Sequence, residues 1–158
     1  MCRKIVGLVC VVLLFLSMIA CSEKKEAAAP VTLKVFKQEI TSNSTLQTLK
    51  VNEKATMQVT VKNIGNEPWP IKASDEKGTN RVTLGFHWLD STEKAIQEGR
   101  GASLPNALMP GSSVTLDVNI QAPSTPGDYT LRFSMVQELV AWFDDKGAVP
   151  FIVKVKVK

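Results

Sequence analysis

Apolar and polar residues alternate along most of this chain in short, regular runs. Ala55, Met57, Val59 and Val61 alternate with Thr56, Gln58, Thr60 and Lys62. Val82, Leu84, Phe86 and Trp88 alternate with Thr83, Gly85, His87 and Leu89. The same pattern sets Val114, Leu116, Val118 and Ile120 against Thr115, Asp117 and Asn119, and Leu131, Phe133 and Met135 against Thr130, Arg132 and Ser134. A final run sets Phe151, Val153, Val155 and Val157 against Ile152, Lys154, Lys156 and Lys158. Successive side chains of a strand point to opposite faces, so each run predicts a strand with one buried and one wet face. Adding Val31–Val35 and a segment within Thr45–Lys50 gives about seven strands. No window carries a sustained helical repeat, although Leu89–Glu98 has room for one short turn.

Turn chemistry separates the runs. Asn63-Ile64-Gly65-Asn66 closes one strand, Lys77-Gly78-Thr79-Asn80 precedes the next, and Pro110-Gly111 and Pro126-Gly127 bracket a third. Short antiparallel strands with one-sided patterning predict an all-β, immunoglobulin-like or fibronectin-like β-sandwich over residues 31–158. Tyr129, just after Pro126-Gly127, stands where such folds place a tyrosine that bonds back to the backbone, and Trp88 is the candidate core tryptophan. No cysteine lies beyond Cys21, so the sandwich has no disulfide.

The start of the chain follows a different rule. Sixteen of its first 20 residues are apolar, which skews the 44% hydrophobic content of all 158 residues. Arg3 and Lys4 precede an apolar run, Ile5–Leu16, broken only by Gly7. As a helix, Ile5–Ala20 reaches about 24 Å, short of the ~30 Å hydrocarbon core and suited to a cleaved leader. Ala20 followed by Cys21 resembles the lipobox of bacterial lipoproteins, with Met18 where leucine is usual. That resemblance implies a signal peptide over residues 1–20, a lipid-modified Cys21 that anchors the protein to the membrane, and a tether over residues 21–30. Ser22 rather than aspartate after the cysteine implies, by the same resemblance, a bacterial cell-envelope protein on the outer membrane facing the periplasm. Losing Arg3 and Lys4 lowers the formal charge from +4 to +2. With no basic cluster interleaved with aromatics, nucleic acid is not an expected partner.

Asn63-x-Gly65-Asn66-x-Pro68-Trp69-Pro70 resembles the start of the four-tryptophan Ig-like domain of autophagy cargo receptors and its bacterial relatives. His87-Trp88-Leu89-Asp90, Leu104-Pro105, Pro110-Gly111, Ala122-Pro123 through Tyr129, and Val136 through Phe143 are similar to a bacterial Ig-like module often appended to membrane-associated or carbohydrate-active enzymes. The likeness spans roughly Val51–Lys158 and rests on turns and core positions. It implies a domain and carries no chemistry over.

Little in the sequence supports catalysis or metal binding. His87 is the only histidine, no Gly-x-Ser-x-Gly elbow accompanies it, and its position is that of a partly exposed strand residue. Met57 and Met135 share the parity of core residues, leaving Met109 and His87 too few for copper. Asp144-Asp145 and Asp75-Glu76 lack a calcium-loop pattern. No cofactor is therefore expected. Trp69, between two prolines, and Trp142-Phe143 lie in loops, where an exposed ring would stack on a sugar or a peptide side chain and a buried one would cap the core. Arg100 is placed to pair with Glu138 between loops. Trp69, Arg100, Trp142 and Phe143 are thus the candidate partner-binding residues. Lys154, Lys156 and Lys158 face outward from the last strand, where lysines discourage edge-to-edge pairing. The expected function is a non-catalytic interaction module for an envelope protein or glycan. The alternatives are an envelope hydrolase or inhibitor acting through loops, and a periplasmic metal-handling protein.

Overall fold

The computed structural model describes residues 35–158. The expected signal peptide, Cys21, the tether and Val31–Lys34 of the expected first strand lie outside the described residues, and Val35 is not in a strand. The described strands are β1 (Gln38–Thr41), β2 (Thr48–Leu49), β3 (Lys54–Asn63), β4 (Val82–Leu89), β5 (Ala95–Ser103), β6 (Ser113–Gln121), β7 (Gly127–Gln137), β8 (Ala141–Trp142) and β9 (Phe151–Val157), with one 3-10 turn at Asp144–Lys146. They form two sheets, β1-β3-β6 and β2-β9-β7-β4-β5, with β8 added along β7. Every pairing is antiparallel except the two-residue β2 on β9. The all-β sandwich expected from the alternation is the fold observed.

The five alternating runs became β3, β4, β6, β7 and β9. In β3 and β6 the register sets Met57 opposite Val118 and Val59 opposite Leu116. In the larger sheet Leu84 faces Met135, Phe86 faces Phe133 and Trp88 faces Leu131. All ten of these side chains are buried in one core. Met57 and Met135 pack there, as their parity predicted. Tyr129 makes the expected corner: its hydroxyl donates to the Thr125 carbonyl at 2.9 Å, and its ring meets Trp88 edge to face at 6.1 Å.

Two elements depart from the sequence reading. β4 has no wet face, because all eight of its residues are buried. The connection from β7 to β9 folds across its outer side, so His87 is buried rather than partly exposed. The segment given room for a turn instead contributes to β5, a full edge strand. A Cβ on Gly99 would stand 2.5 Å from the Phe86 ring, and one on Gly101 would stand 2.4 Å from Val118 Cγ1. Glycine there lets the strand approach the core, and it also removes the apolar residues that would have marked the strand.

One end of the sandwich is plugged by aromatics. Phe143 meets Trp69 edge to face at 5.3 Å and Phe36 at 5.2 Å. The Trp69 indole N–H donates to the Val35 carbonyl at 3.2 Å, and its backbone pairs with Leu108. Asn63, fully buried, holds the adjoining loop by donating to the carbonyls of Glu67 and Leu108 and accepting from the Gly65 N–H.

Candidate functional site

The outer face of the larger sheet carries a group of packed polar and aromatic side chains. Alternation on β4 sends Thr83, Gly85 and His87 to this face. Register places Val136, Ser134 and Arg132 of β7 beside them, and Arg100 and Glu98 of β5 on the other side. The chain after β7 turns at Leu139, in the left-handed region at φ 58°, and returns as β8. That hairpin brings Trp142 over Gly85, where a Cβ would stand 2.5 Å from the indole. Glycine at 85 is the space in which the ring lies.

Two side chains pack against Trp142. The His87 ring lies 4.1 Å from it, centroid to centroid, and the Arg100 guanidinium carbon lies 5.0 Å from its ring centroid, within cation–π range. Arg100 Nε donates to Glu138 Oε1 at 2.8 Å, and the Thr83 hydroxyl donates to the same oxygen at 2.8 Å. Glu98 approaches Arg100 at 3.5 Å and His87 Nε2 at 3.6 Å. Beneath the following turn, Asp144 lies 3.3 Å from Arg132, and its backbone N–H donates to Ser134 Oγ.

These contacts set the charge states. Burial pushes the His87 imidazole below its ordinary range, helped by Arg132, and the nearby carboxylates of Asp144, Glu98 and Asp145 only partly oppose this. His87 is therefore a neutral ring at neutral pH. Burial alone would raise the carboxyl of Glu138, but hydrogen bonds from Arg100 and Thr83 outweigh it and hold the group below the usual carboxylate range.

The four sequence candidates divide into two pairs. Arg100 and Trp142 come together on this face, and the expected Arg100–Glu138 ion pair is present. Trp69 and Phe143 are both fully buried and do not belong to any surface. Their burial follows from the Val35–Phe36 segment, which covers the loop end and supplies both a carbonyl and a ring. Sequence reasoning missed His87, Gly85 and Glu98 as parts of the site. The outward parity of Gly85 and His87 was their only signal, and nothing in the spacing linked them to Trp142. Among the described residues no group of three or more His, Cys, Asp or Glu is arranged to hold a metal ion. On β9, Lys154 donates to the Thr130 hydroxyl and Lys156 pairs with Asp128 at 3.5 Å.

Residues 42–157 match the family model of the Ig-like domain from next to BRCA1 gene. The chain belongs to this Ig-like family. No curated protein matches it. Among solved structures, this Ig-like domain is similar to a β-glucosidase from Listeria innocua, at 15% identity and a TM-score of 0.45, covering 77% of this chain and 16% of that one. It is similar to the CARDB domain of PF1109 from Pyrococcus furiosus at 16% identity and a TM-score of 0.41, covering 77% of this chain and 92% of that one. A family 123 glycoside hydrolase from Clostridium perfringens matches at 11% identity and a TM-score of 0.42, over 77% and 27% of the two chains. The Ig-like domain thus spans a small part of either enzyme.

Proposed function

We propose that this protein is a cell-envelope lipoprotein, anchored through Cys21, whose Ig-like domain is a non-catalytic interaction module for another envelope protein. The reading rests on one arrangement above all, the Arg100–Trp142–His87 stack on the outer sheet face. It holds an exposed guanidinium rigidly on a broad surface, and Arg and Trp are the residue types that most often anchor protein interfaces. The Trp142 ring already has His87 and Arg100 packed against it, which leaves less of it free to stack on a sugar. This favours a protein partner over a glycan.

The test is capture from an envelope extract on the immobilised domain, compared with Arg100→Glu after circular dichroism has verified the fold. Loss of the captured partner in the variant is expected, and undiminished capture would remove this face from the account. The anchor is tested separately. Labelled palmitate enters the protein and is lost in Cys21→Ser, and label that persists in the variant overturns the assignment.

A further inference from the structure

We infer that the end of the sandwich carrying the Leu139 hairpin docks onto a phospholipid bilayer, with Lys77 and Arg81 meeting anionic headgroups. The inference rests on the lipid-anchor reading of Cys21 and adds an orientation to it. β1 starts at the end where β3 stops, with Gln38 opposite Asn63, and Val35 is bonded there to Trp69. The chain therefore leaves the described domain at this end toward Cys21. Fourteen residues span at most about 48 Å, so a domain anchored through Cys21 stays within reach of the membrane. A tether of that length keeps the local bilayer concentration high enough for weak contacts to matter.

The apolar surface is distributed to match. Among the described residues, five of the eight large exposed hydrophobic ones, Ile64, Met109, Leu139, Val140 and Val149, lie on loops at or next to this end. Leu139 is 69% exposed at a hairpin tip whose backbone Glu138 bonds to Asn80 and Arg81. Beside it, Lys77, Arg81 and Arg100 line a depression of about 380 Å³ with Glu98 and Glu138. Both acids are engaged by Arg100, and neither Lys77 nor Arg81 has a salt bridge among the described residues. Asp75 is turned into its own loop, accepting from Thr79 and the Lys77 N–H. Glu67 and Glu76 keep the net charge of this end modest, so apolar contact carries the docking and the cations orient it.

The test uses residues 22–158, which contain the whole core with Val35 and Phe36 packed against it, carrying an N-terminal hexahistidine that replaces the native anchor. An environment-sensitive fluorophore is placed at Leu139→Cys, or at Ile96→Cys on the opposite end, where the exposed residue is also apolar. Each protein is held on phosphatidylethanolamine–phosphatidylglycerol vesicles containing nickel-chelating lipid. A blue shift at position 139 and none at position 96 is expected. Partition onto the same vesicles without chelator falls about fivefold for each cation removed in Lys77→Gln and Arg81→Gln. Equal emission from the two positions, or a shift at 96 alone, overturns the inference. Because the chelator stands in for the acyl chains, a failed palmitate experiment at Cys21 would refute the anchor without touching this result.

Discussion

Trp142 occupies the volume that a side chain on Gly85 would need, its ring 2.5 Å from the position of the missing Cβ. The two residues are 57 positions apart in sequence, and together they fix the hairpin to the sheet. Adding a methyl group at 85 must push the indole out or bend the central strand. Gly85→Ala is expected to cost about 1–3 kcal/mol, read by urea unfolding. Its tryptophan emission should shift to the red, because Trp69 and Trp88 stay buried and only Trp142 is released. An unchanged spectrum would mean the ring is not seated there.

His87 links folding to acidity. Its folded-state imidazole titrates below the ordinary range because it is buried, so the unfolded chain takes up the proton first. The stability it contributes is fully present above about pH 6.5 and is lost as pH falls through the depressed value. Tm should therefore drop more steeply between about pH 7 and pH 5 in the wild type than in His87→Gln. Parallel slopes would show that another group carries the acid sensitivity.

Trp69→Ala tests the assignment of this residue to the core. It removes a fully buried indole, its contact with Phe143 and its bond to Val35. A loss of about 3–5 kcal/mol is expected, measured by chemical denaturation. A loss below about 1 kcal/mol would instead describe a surface residue.

Tyr129→Phe keeps the ring against Trp88 and deletes only the hydrogen bond to Thr125. The expected cost is about 1 kcal/mol. Equal midpoints in urea for the two proteins would deny the corner any net stabilising role.

Much of this architecture is readable from one-dimensional pattern because β3, β6 and much of β9 each keep a wet face. Their polar residues report the period directly. β4 follows the same period, but Thr83, Gly85 and His87 face a covering hairpin rather than water, so their polarity misrepresents their burial. β5 fails for the opposite reason, since Gly99 and Gly101 point inward and closeness to Phe86 and Val118 leaves no room for an apolar signal. Of the aromatic candidates, Trp142 and Phe143 are neighbours in sequence with opposite fates. One lies on the sheet face and the other joins Trp69 inside. Strand parity would have separated them, but a two-residue strand is too short to display it.

The antiparallel course that brings Val35 out beside Trp69 carries the chain's last bonded residue to the other pole, where Lys158 donates to Leu49. Reporter proteins or purification handles fused after Lys158 would therefore project away from the pole that carries Trp69 and the Leu139 hairpin, leaving both the hairpin tip and the Arg100 flank unobstructed.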